Sequence, residues 1–383
     1  MCGILGIFGF DVGNKERALE ELHHRGPDNT GIWKADDVFL GHKRLSILDL
    51  SPRSNQPFHI GNDIIIFNGE IYNFRELILD HNLKTRTTSD TEVVVLMYQK
   101  YKEKCLKYFN GMFAFIIYNT ASQKYFVARD RLGIKPLYWH FSGNSKSIFS
   151  SEVSSIKKLI DTNIDNFAVR QYKKLRMCVN NDTIFKEIRM FPAAHYMHSG
   201  EEPQRYWDID TSYKEEPDNQ ELFDLLKSSV EYRTIADVSV GSYLSGGLDS
   251  TIITALLRPS HSWTVGFEDL NEFEWGQLAA EKYGTEHTAV VVDDLLFWET
   301  MDFMVRKRGE PLSVPNEVLI YLMTKEVKKK NTVVLSGEGA DEVFFGYDRI
   351  FRWANLDTQF DIAGFDKKYS YSNHEDLEVL DYA

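Results

Sequence analysis

Cysteine is scarce in this sequence, and long apolar runs are missing from it. The three cysteines, Cys2, Cys105 and Cys178, form no C-x-x-C pair, which argues against a zinc knuckle and against a disulfide framework. No stretch of about 18 apolar residues occurs, so no membrane span is expected. The apolar start ends at Asp11 and carries no basic segment, so it does not resemble a signal peptide. We expect a cytoplasmic protein with reduced cysteines.

Basic residues are also in the minority. The 44 Lys and Arg residues stand against 57 Asp and Glu, which gives a formal net charge of -13 at pH 7. Nucleic acids and anionic membranes are normally bound by basic surfaces, because their phosphates must be neutralised. The charge balance therefore argues against both partners and favours small-molecule substrates.

The chain of 383 residues, 43% of them hydrophobic, is long enough for about two domains. Residues 1–198 contain many short apolar runs and one helical stretch, SDTEVVVLMYQKY, with a capping box predicted between Ser89 and Glu92. This pattern predicts a mostly antiparallel α+β domain. The predicted strands lie in CGILGIFGF, VFLGHKRLSILDL, DIIIFNGEIY, GMFAFIIYN, KYFVARD and SIFSSE.

A polar segment that contains proline, residues 199–220, is the predicted linker to a second domain at 221–383. In this second domain apolar strands alternate with helical stretches. Such alternation predicts a parallel sheet covered by helices, with ligands bound at the carboxyl ends of the strands.

Two Gly-rich loops follow strands of the second domain. The first, SGGLDS, spans 245–250, and the second, SGEGADEV, spans 336–343. Glycines let the backbone approach a ligand, and the helix that follows offers free N–H groups to an anion. The first loop is neither a Walker A loop nor G-x-G-x-x-G. Each loop alone could be a tight turn or a solvated helix start, but two such loops in one sheet favour a nucleotide site.

The N-terminal run MCGILGIFGF allows two interpretations of Cys2. The residue could be a small apolar part of a buried strand. Alternatively, removal of Met1 could make Cys2 the first residue of the mature chain, with its thiol as a nucleophile.

On its motifs the chain resembles the glutamine-hydrolysing asparagine synthetases and related amidotransferases, over residues 1 to about 350. The resemblance implies an N-terminal-nucleophile hydrolase sandwich of αββα type, followed by a Rossmann-like α/β domain of the adenine-nucleotide α-hydrolase type. The motifs of the first half are MCGILGI, HHRGPDNTG, GHKRLSILDLS, FNGEIYNFREL, TTSDTEVV, FNGMFAF and ARDRLGIKPLYW, and those of the second half are YLSGGLDST, TVGF and LSGEGADEVFFGY.

By this resemblance, removal of Met1 exposes Cys2, whose thiolate attacks the carboxamide of glutamine. The α-amine of Cys2 would be the general base, and a chain that retains Met1 would have almost no glutaminase activity. Asn68 and Gly69 would supply the oxyanion hole, and the loop with Arg25, Gly26 and Pro27 would shape the pocket. The residues implied to bind glutamine are Arg44, Leu45, Ser46, Ile47, Leu48, Asn68, Gly69, Glu70 and Asp90.

Taken singly, these residues have other interpretations. Arg44 could form a surface ion pair, Asp90 could be an ordinary residue of a first helical turn, and Asn68-Gly69 could form a hairpin turn. Their occurrence together at the spacing of the family favours the glutamine site.

In the second half the resemblance implies binding of ATP and Mg²⁺. Glu338 would act in forming an acyl-adenylate, and Asp249 and Asp341 would be carboxylate ligands of the magnesium ion, which prefers oxygen donors. The residues implied to bind ATP are Leu244, Ser245, Gly246, Gly247, Asp249, Ser250, Val265, Ser336 and Gly337.

The implied reaction is that of a carbon–nitrogen ligase with glutamine as the nitrogen donor. ATP would adenylate the side chain of aspartate, and ammonia released at Cys2 would travel through the protein interior and displace AMP to give asparagine. The resemblance also suggests a homodimer. Residues 354–383 match no motif of the family, in which the C-terminal region is longer, and Lys367 and Lys368 are the only lysines there.

Three hypotheses follow. The chain could be a complete synthetase acting on aspartate or another carboxylate. It could instead be a glutaminase whose nucleotide domain no longer adenylates, or a protein without catalytic activity that keeps the fold. No residue of 309–323, where the family shapes the acceptor pocket, has chemistry that demands aspartate.

Overall fold

The structure is a computed structural model that describes residues 1–143, 146–212, 218–347, 350, 352–353 and 362–370. It divides into two compact units. Unit 1 comprises Met1–Ile164 and Asn181–Glu221, and unit 2 comprises Asp165–Asn180 and Leu222–Ala383. The predicted division at 198 and 221 thus differs at residues 165–180, which fall inside the predicted first domain but belong to unit 2.

Unit 1 contains two six-stranded antiparallel sheets. The first has the order β10-β8-β9-β1-β3-β2 and the second β12-β11-β7-β6-β5-β4. The strands are β1 Gly3–Phe8, β2 Asn29–Ala35, β3 Val38–Arg44, β4 Phe58–Ile60, β5 Asp63–Ile71, β6 Gly111–Asn119, β7 Lys124–Arg129, β8 Tyr138–Phe141, β9 Ser147–Ser150, β10 Arg189–Met190, β11 His195–His198 and β12 Gln204–Arg205.

The core of unit 1 lies between these sheets. Ile4, Leu40, Ile66 and Ile116 are almost fully buried there, because alternate side chains of a strand point to the same face. Helices cover the outer faces, as the predicted αββα arrangement requires, and this prediction is confirmed. The helices of unit 1 are α1 Lys15–Glu20, α2 Phe74–Asp80, α3 Asp90–Tyr101 and α4 Val153–Lys157, with 3₁₀ turns at His23–Arg25, Pro52–Ser54 and Lys102–Lys107.

The predicted capping box of α3 is only half right. The hydroxyl of Ser89 caps the helix by accepting from the N–H of Thr91. The carboxylate of Glu92 does not return to the N–H of Ser89, however, but accepts from the backbone N–H groups of Arg86 and Thr87, at 2.9 and 2.7 Å. The segment before the helix turns back over its first turn and offers Glu92 these nearer donors.

Unit 2 is built on a four-stranded parallel sheet with the order β15-β14-β13-β16, which confirms the predicted parallel sheet. Its strands are β13 Val240–Tyr243, β14 His261–Phe267, β15 Glu286–Val292 and β16 Val333–Leu335. Its helices are α5 Asn166–Leu175, α6 Asn219–Arg233, α7 Leu248–Leu257, α8 Phe273–Tyr283, α9 Asp294–Arg308, α10 Asn316–Val327, α11 Ala340–Phe344 and α12 Ile362–Tyr369.

Two further sequence predictions concern the C-terminal segment and membrane spans. Most of residues 354–383 lie outside the described residues, while Lys367 and Lys368 are exposed on α12. Within the described ranges, none of the helices combines the length and the apolar character needed to cross a lipid bilayer.

Candidate active sites

Strand alternation brings Cys2 and Asn68 to the same layer of unit 1. Ile4 and Ile66 point into the core between the two sheets. Cys2 lies two residues before Ile4, and Asn68 lies two residues after Ile66, so both face the same layer at its end. The cavity at this end of the sandwich is lined by Cys2, Arg44, Leu45, Ile47, Leu48, Ser54, Gln56, Phe67, Gly69, Glu70, Ser89, Asp90 and Thr91.

Backbone groups hold Cys2 in place. The N–H of Leu45 lies 3.4 Å from Sγ, and the carbonyl oxygen of Cys2 accepts from Nε of Arg25 at 3.0 Å. Glu152 holds Arg25 in turn, with 3.0 Å between Oε1 and Nη1. Burial raises the pKa of the Cys2 thiol, while the nearby amino terminus lowers it. Met1 precedes Cys2 in this structure, and burial lowers the pKa of its amine to about 5.

Asn68 and Gly69 form a preorganised part of the site. They lie within β5, opposite Ala114 and Phe113 of β6, so they are not a hairpin turn. The amide of Asn68 is fully buried, and neither its nitrogen nor its oxygen has a hydrogen-bond partner among the described residues. A Cβ on Gly69 would lie 2.3 Å from the carbonyl oxygen of Met112. Only glycine fits at position 69. The amide N–H of Asn68 is available to donate a hydrogen bond to a bound ligand.

Arg44 is buried and held by the loop that follows β3, so it is not a surface ion-pair residue. Its Nη1 donates to the carbonyl oxygen of Ser51 at 3.0 Å and to Oδ1 of Asn55 at 2.7 Å. Its Nη2 donates to the carbonyl oxygens of Leu48 and Asp49, at 3.2 and 2.5 Å. These acceptors fix the plane of the guanidinium at the cavity wall.

Two carboxyl groups, the buried Asp90 and the half-buried Glu70, line the same cavity and interact electrostatically. Asp90 stands at the start of α3 and accepts from the N–H of Ile71 at 2.8 Å. Burial raises the pKa of Asp90 to about 6. Burial, and then the charge of Asp90, raise the pKa of Glu70 well above its usual range. A cationic group bound between them would relieve this repulsion.

Not every predicted glutamine-binding residue lines the cavity. Seven of the nine do, and the other two are Ser46 and Asn68. The N–H of Ser46 donates to Oδ2 of Asp28 at 2.7 Å, which directs this residue toward the loop of the RGPD motif. Asn68 lies in the strand between two lining residues.

Sequence reasoning missed two side chains that connect the layers of unit 1. The amide of Gln56 accepts from the N–H of Phe67 at 2.6 Å and donates to the hydroxyl of Thr91 at 3.2 Å, which ties β5 to α3. His42 in β3 lies 3.2 Å from the carbonyl oxygen of Phe67 in the other sheet. Burial lowers the pKa of His42 to about 3, so the ring is neutral and donates this bond. No local sequence pattern signals either contact.

In unit 2 the two Gly-rich loops meet at the carboxyl ends of β13 and β16. They border a pocket of about 310 Å³. A Cβ on Gly337 would lie 2.9 Å from Cβ of Asp249, which shows how closely the loops approach. The predicted ATP, adenylation and metal residues that line this pocket are Leu244, Ser245, Gly247, Asp249, Ser250, Val265, Ser336, Gly337, Glu338 and Asp341.

Gly246 is the one predicted ATP residue that does not line the pocket. It adopts φ 89, and a Cβ there would lie 2.4 Å from backbone and side-chain atoms of Trp275 at the start of α8. Beside it, the hydroxyls of Ser245 and Ser250 are 3.1 Å apart, and the N–H of Gly247 donates to Oγ of Ser245 at 3.2 Å. Gly246 therefore lets the loop turn, whereas its neighbours face the pocket.

The same pocket contains oxygen donors suited to Mg²⁺. The carboxylates of Asp249 and Asp341 both line it. No group of three or more His, Cys, Asp and Glu side chains able to hold a metal is found within the described ranges. Two carboxylates fit an ion that shares phosphate oxygens with the protein, rather than an ion held by the protein alone.

Comparison with known proteins agrees with this geometry in both units. A family model for a glutamine amidotransferase domain matches residues 1–207, and one for asparagine synthase matches residues 221–378. The chain belongs to the family of glutamine-hydrolysing asparagine synthetases. A protein of Methanocaldococcus jannaschii that is provisionally named glutamine-hydrolysing asparagine synthetase 2 is similar to this chain. The two are 34% identical over 91% of this chain and 76% of the relative's length.

Two further members of the asparagine synthetase family are similar over a smaller share of their own length. Asparagine synthetase 1 of Bacillus subtilis is 33% identical over 91% of this chain and 59% of its own length. Asparagine synthetase B of Escherichia coli is 30% identical over 91% of this chain and 65% of its own length. The chain thus spans about three-fifths of these two relatives.

Proposed function

We propose that this chain is a glutamine-dependent asparagine synthetase. The observation that carries the proposal is that this member of the family contains two preformed sites. One pairs a cysteine nucleophile with the unpartnered buried amide of Asn68, and the other is a pocket bordered by two Gly-rich loops.

In unit 1 the thiolate of Cys2 attacks the carboxamide carbon of glutamine. The resulting oxyanion is stabilised by the amide N–H of Asn68 and the backbone N–H of Gly69. Arg44 holds the substrate carboxylate, and Asp90 with Glu70 holds its ammonium. Collapse of the tetrahedral intermediate releases ammonia, and water then hydrolyses the thioester to glutamate.

In unit 2 the side-chain carboxylate of aspartate attacks the α-phosphorus of ATP, and pyrophosphate leaves. The loop Ser245–Ser250 cradles the phosphates with backbone N–H groups, Ser336 and Gly337 contact the nucleotide, and Leu244 and Val265 pack against the adenosine. Asp249 and Asp341 would hold Mg²⁺, which neutralises phosphate charge. Glu338 assists formation of the acyl-adenylate, and ammonia then displaces AMP.

The cavity beside Cys2 is small, with a volume of about 30 Å³. We place this enzyme in the cytoplasm, where a reducing environment suits three cysteines that form no disulfide. A homodimer stays a prediction, which light scattering of the purified protein would test.

The proposal is tested with glutamine labelled with ¹⁵N in the amide, ATP, Mg²⁺ and aspartate. We expect labelled asparagine, AMP and pyrophosphate, measured by mass spectrometry. Glutamine hydrolysis without AMP would contradict the synthetase half, and an amide of another acid would reassign the acceptor.

Two cysteine variants separate the sites. Cys2→Ala should abolish synthesis from glutamine and keep synthesis from ammonium ions. Cys178→Ala, a matched change in unit 2, should keep both activities. Loss of the ammonium reaction in Cys2→Ala would show that the change acts through the fold rather than through the nucleophile.

A further inference from the structure

Lys135 is a buried lysine beside Cys2 to which no role has been given so far. It lies in the loop between β7 and β8, and only 3% of its surface is exposed. Its N–H donates to Oδ2 of Asp130 at 3.0 Å, and its carbonyl oxygen accepts from Nε of Arg129 at 2.8 Å. The main chain at Lys135 is thus held on both sides.

The ammonium group of Lys135 lacks a carboxylate partner among the described residues. Its one described hydrogen bond runs to Sδ of Met1, at 2.7 Å, and a thioether is a weak acceptor. Asp130 makes no ion pair with this ammonium, since its carboxylate accepts from the backbone N–H groups of Phe113, Ile134 and Lys135 itself, although its charge still favours the ammonium form. Removal of Met1 takes away even the thioether.

A second buried lysine in the same unit shows the usual arrangement. Lys43 is 2% exposed, and its Nζ donates to Oε2 of Glu20 at 2.5 Å and to the hydroxyl of Thr30 at 2.9 Å. A buried ammonium is costly unless it is paired in this way. Lys135 keeps an unpaired cation at the end of the sandwich where Cys2 lies.

Charged groups from several elements face this end of the cavity. Those around Lys135 are Cys2, Arg25, Glu70 and Asp130. The amino terminus faces Cys2, Arg25, Glu70 and Lys135, and Glu70 also faces Asp90. Arg44 also faces Cys2, but its guanidinium is held by four acceptors of the loop after β3, and Arg25 is paired with Glu152. Lys135 is therefore the cation near Glu70 that is held by neither a carboxylate nor a backbone carbonyl among the described residues.

We propose that Lys135 is an electrostatic positioning residue of the glutaminase site: its ammonium favours the thiolate of Cys2 and the neutral form of the α-amine that loss of Met1 exposes. The inference rests on the proposed function of Cys2. A nearby cation stabilises an anion and disfavours a second cation, so both effects act toward the reactive pair of thiolate and free amine. The negative charge of Glu70 disfavours the thiolate and the neutral amine, and the positive charge of Lys135 offsets this effect.

Burial lowers the pKa of Lys135 itself to about 8, so the ammonium form is present at neutral pH. Without its charge the thiol and the amine should both titrate at higher pH. The acid limb of the pH profile for glutamine hydrolysis should therefore move to higher pH when Lys135 is neutralised.

The test compares Lys135→Met and Lys135→Gln with Lys135→Arg in full-length protein whose loss of Met1 is verified by mass spectrometry. In the two neutral variants we expect the acid limb of kcat/KM for glutamine to move up by about one pH unit. At a fixed pH on that limb, kcat/KM should therefore fall about tenfold. Lys135→Arg should restore the limb to its original pH. Lys43→Met is the control, because it removes an equally buried lysine that is paired with Glu20 and should leave the limb unchanged.

A second measurement does not depend on turnover. The rate of Cys2 alkylation by iodoacetamide, followed by mass spectrometry against pH, reports the thiolate directly. If neutral variants shift this curve while no protein hydrolyses glutamine, the electrostatic effect of Lys135 on Cys2 stands and the proposed function fails. If glutamine is hydrolysed and both curves match the wild type, or Lys43→Met shifts them equally, the inference is overturned.

Discussion

At the scale of single residues, the site in unit 1 keeps groups that cost folding stability. The buried amide of Asn68 has neither of its polar atoms hydrogen-bonded within the described part of the chain. Each unsatisfied buried group costs about 1–3 kcal/mol. The carboxyls of the buried Asp90 and the half-buried Glu70 repel each other when both are ionised. Such costs are expected where a protein prepares a site for charges that a substrate brings.

Replacement of Asn68 tests the oxyanion hole. Asn68→Ala should lower kcat for glutamine hydrolysis about 10²- to 10³-fold, because one preorganised donor is lost. Synthesis from ammonium ions should persist in the same assay. The control is Asn119→Ala, since Asn119 lies at the far end of β6, where its amide donates to Asp63. Unchanged hydrolysis in Asn68→Ala would remove Asn68 from the mechanism.

Asp90 gives a prediction in which stability and activity move in opposite directions. Burial raises the folded pKa of Asp90 to about 6, above the usual value of about 3.9. The folded state therefore binds more protons between these values, and stability contributed by this group falls as pH rises through that window. Asp90→Asn should raise Tm at pH 7, with no gain at pH 4, and should raise KM for glutamine.

Asp49 serves as the matched control for Asp90. Burial raises its pKa, but hydrogen bonds from Thr88 and Arg53 outweigh burial and lower it. Asp49→Asn should accordingly lower Tm at pH 7, and this loss should shrink at low pH. If both variants shift Tm in the same direction, the opposite signs argued for these two carboxyls are wrong.

At the scale of elements, the turn between β13 and α7 depends on one glycine. Gly246 has φ 89, and a Cβ there would lie 2.4 Å from Trp275 of α8. Gly247 has φ -64, and a Cβ there would meet only Oγ of Ser245, at 3.3 Å. A side chain at position 246 is therefore strained by its backbone and blocked by its neighbour. Gly246 therefore sets the shape of the loop, although Gly246 itself does not line the pocket.

Alanine at these two positions should have unequal effects. Gly246→Ala should lower ATP-dependent turnover at least about tenfold more than Gly247→Ala, since only the first forces α7 and α8 apart. Glutamine hydrolysis, which belongs to unit 1, serves as the internal control and should not change in either variant. Equal losses in the two variants would contradict the steric argument.

The sequence predicted the long, regular elements and missed contacts between distant residues. Strands with runs such as DIIIFNGEI were evident because alternate residues fill the core. β2, Asn29–Ala35, was missed because half-exposed and exposed residues alternate along it and none is fully buried. Glu92 was assigned to a capping box because Ser89 is near in sequence, while its actual partners depend on how the chain folds back.

The candidate site follows the same rule. Cys2, Asn68 and Asp90 could be found because the family resemblance gives their motif positions a role. Gln56, His42 and Lys135 could not, although the last two also lie in quoted motifs. Their hydrogen-bond partners lie 11 to 134 residues away, and nothing in the neighbouring sequence signals such contacts.

At the scale of the whole molecule, each unit has its own core and its own site. Ligand binding to one folded unit stabilises that unit by mass action, by about 2.7 kcal/mol at a ligand concentration 100 times Kd. A single free energy of unfolding does not describe such a chain.

Calorimetry should therefore resolve two transitions. ATP with Mg²⁺ should raise the Tm of the transition assigned to unit 2, and Asp249→Asn with Asp341→Asn should reduce that shift. Differential scanning calorimetry of the full chain measures both transitions, and Cys2→Ala serves as a control whose ATP response should equal that of the wild type. A nucleotide effect confined to the other transition would contradict the placement of the ATP site.

Helix α5 has a consequence for how this protein can be divided. It belongs to unit 2, where the hydroxyl of Tyr172 donates to the carbonyl oxygen of Leu312 at 2.6 Å, yet in sequence it interrupts unit 1. The chain consequently passes between the units three times, near residues 164, 180 and 221. A gene fragment starting at residue 222 would encode unit 2 without this helix, and a protease cut there would leave α5 covalently attached to unit 1. The two sites therefore cannot be recovered as separate pieces by one cut, in a gene or in the protein.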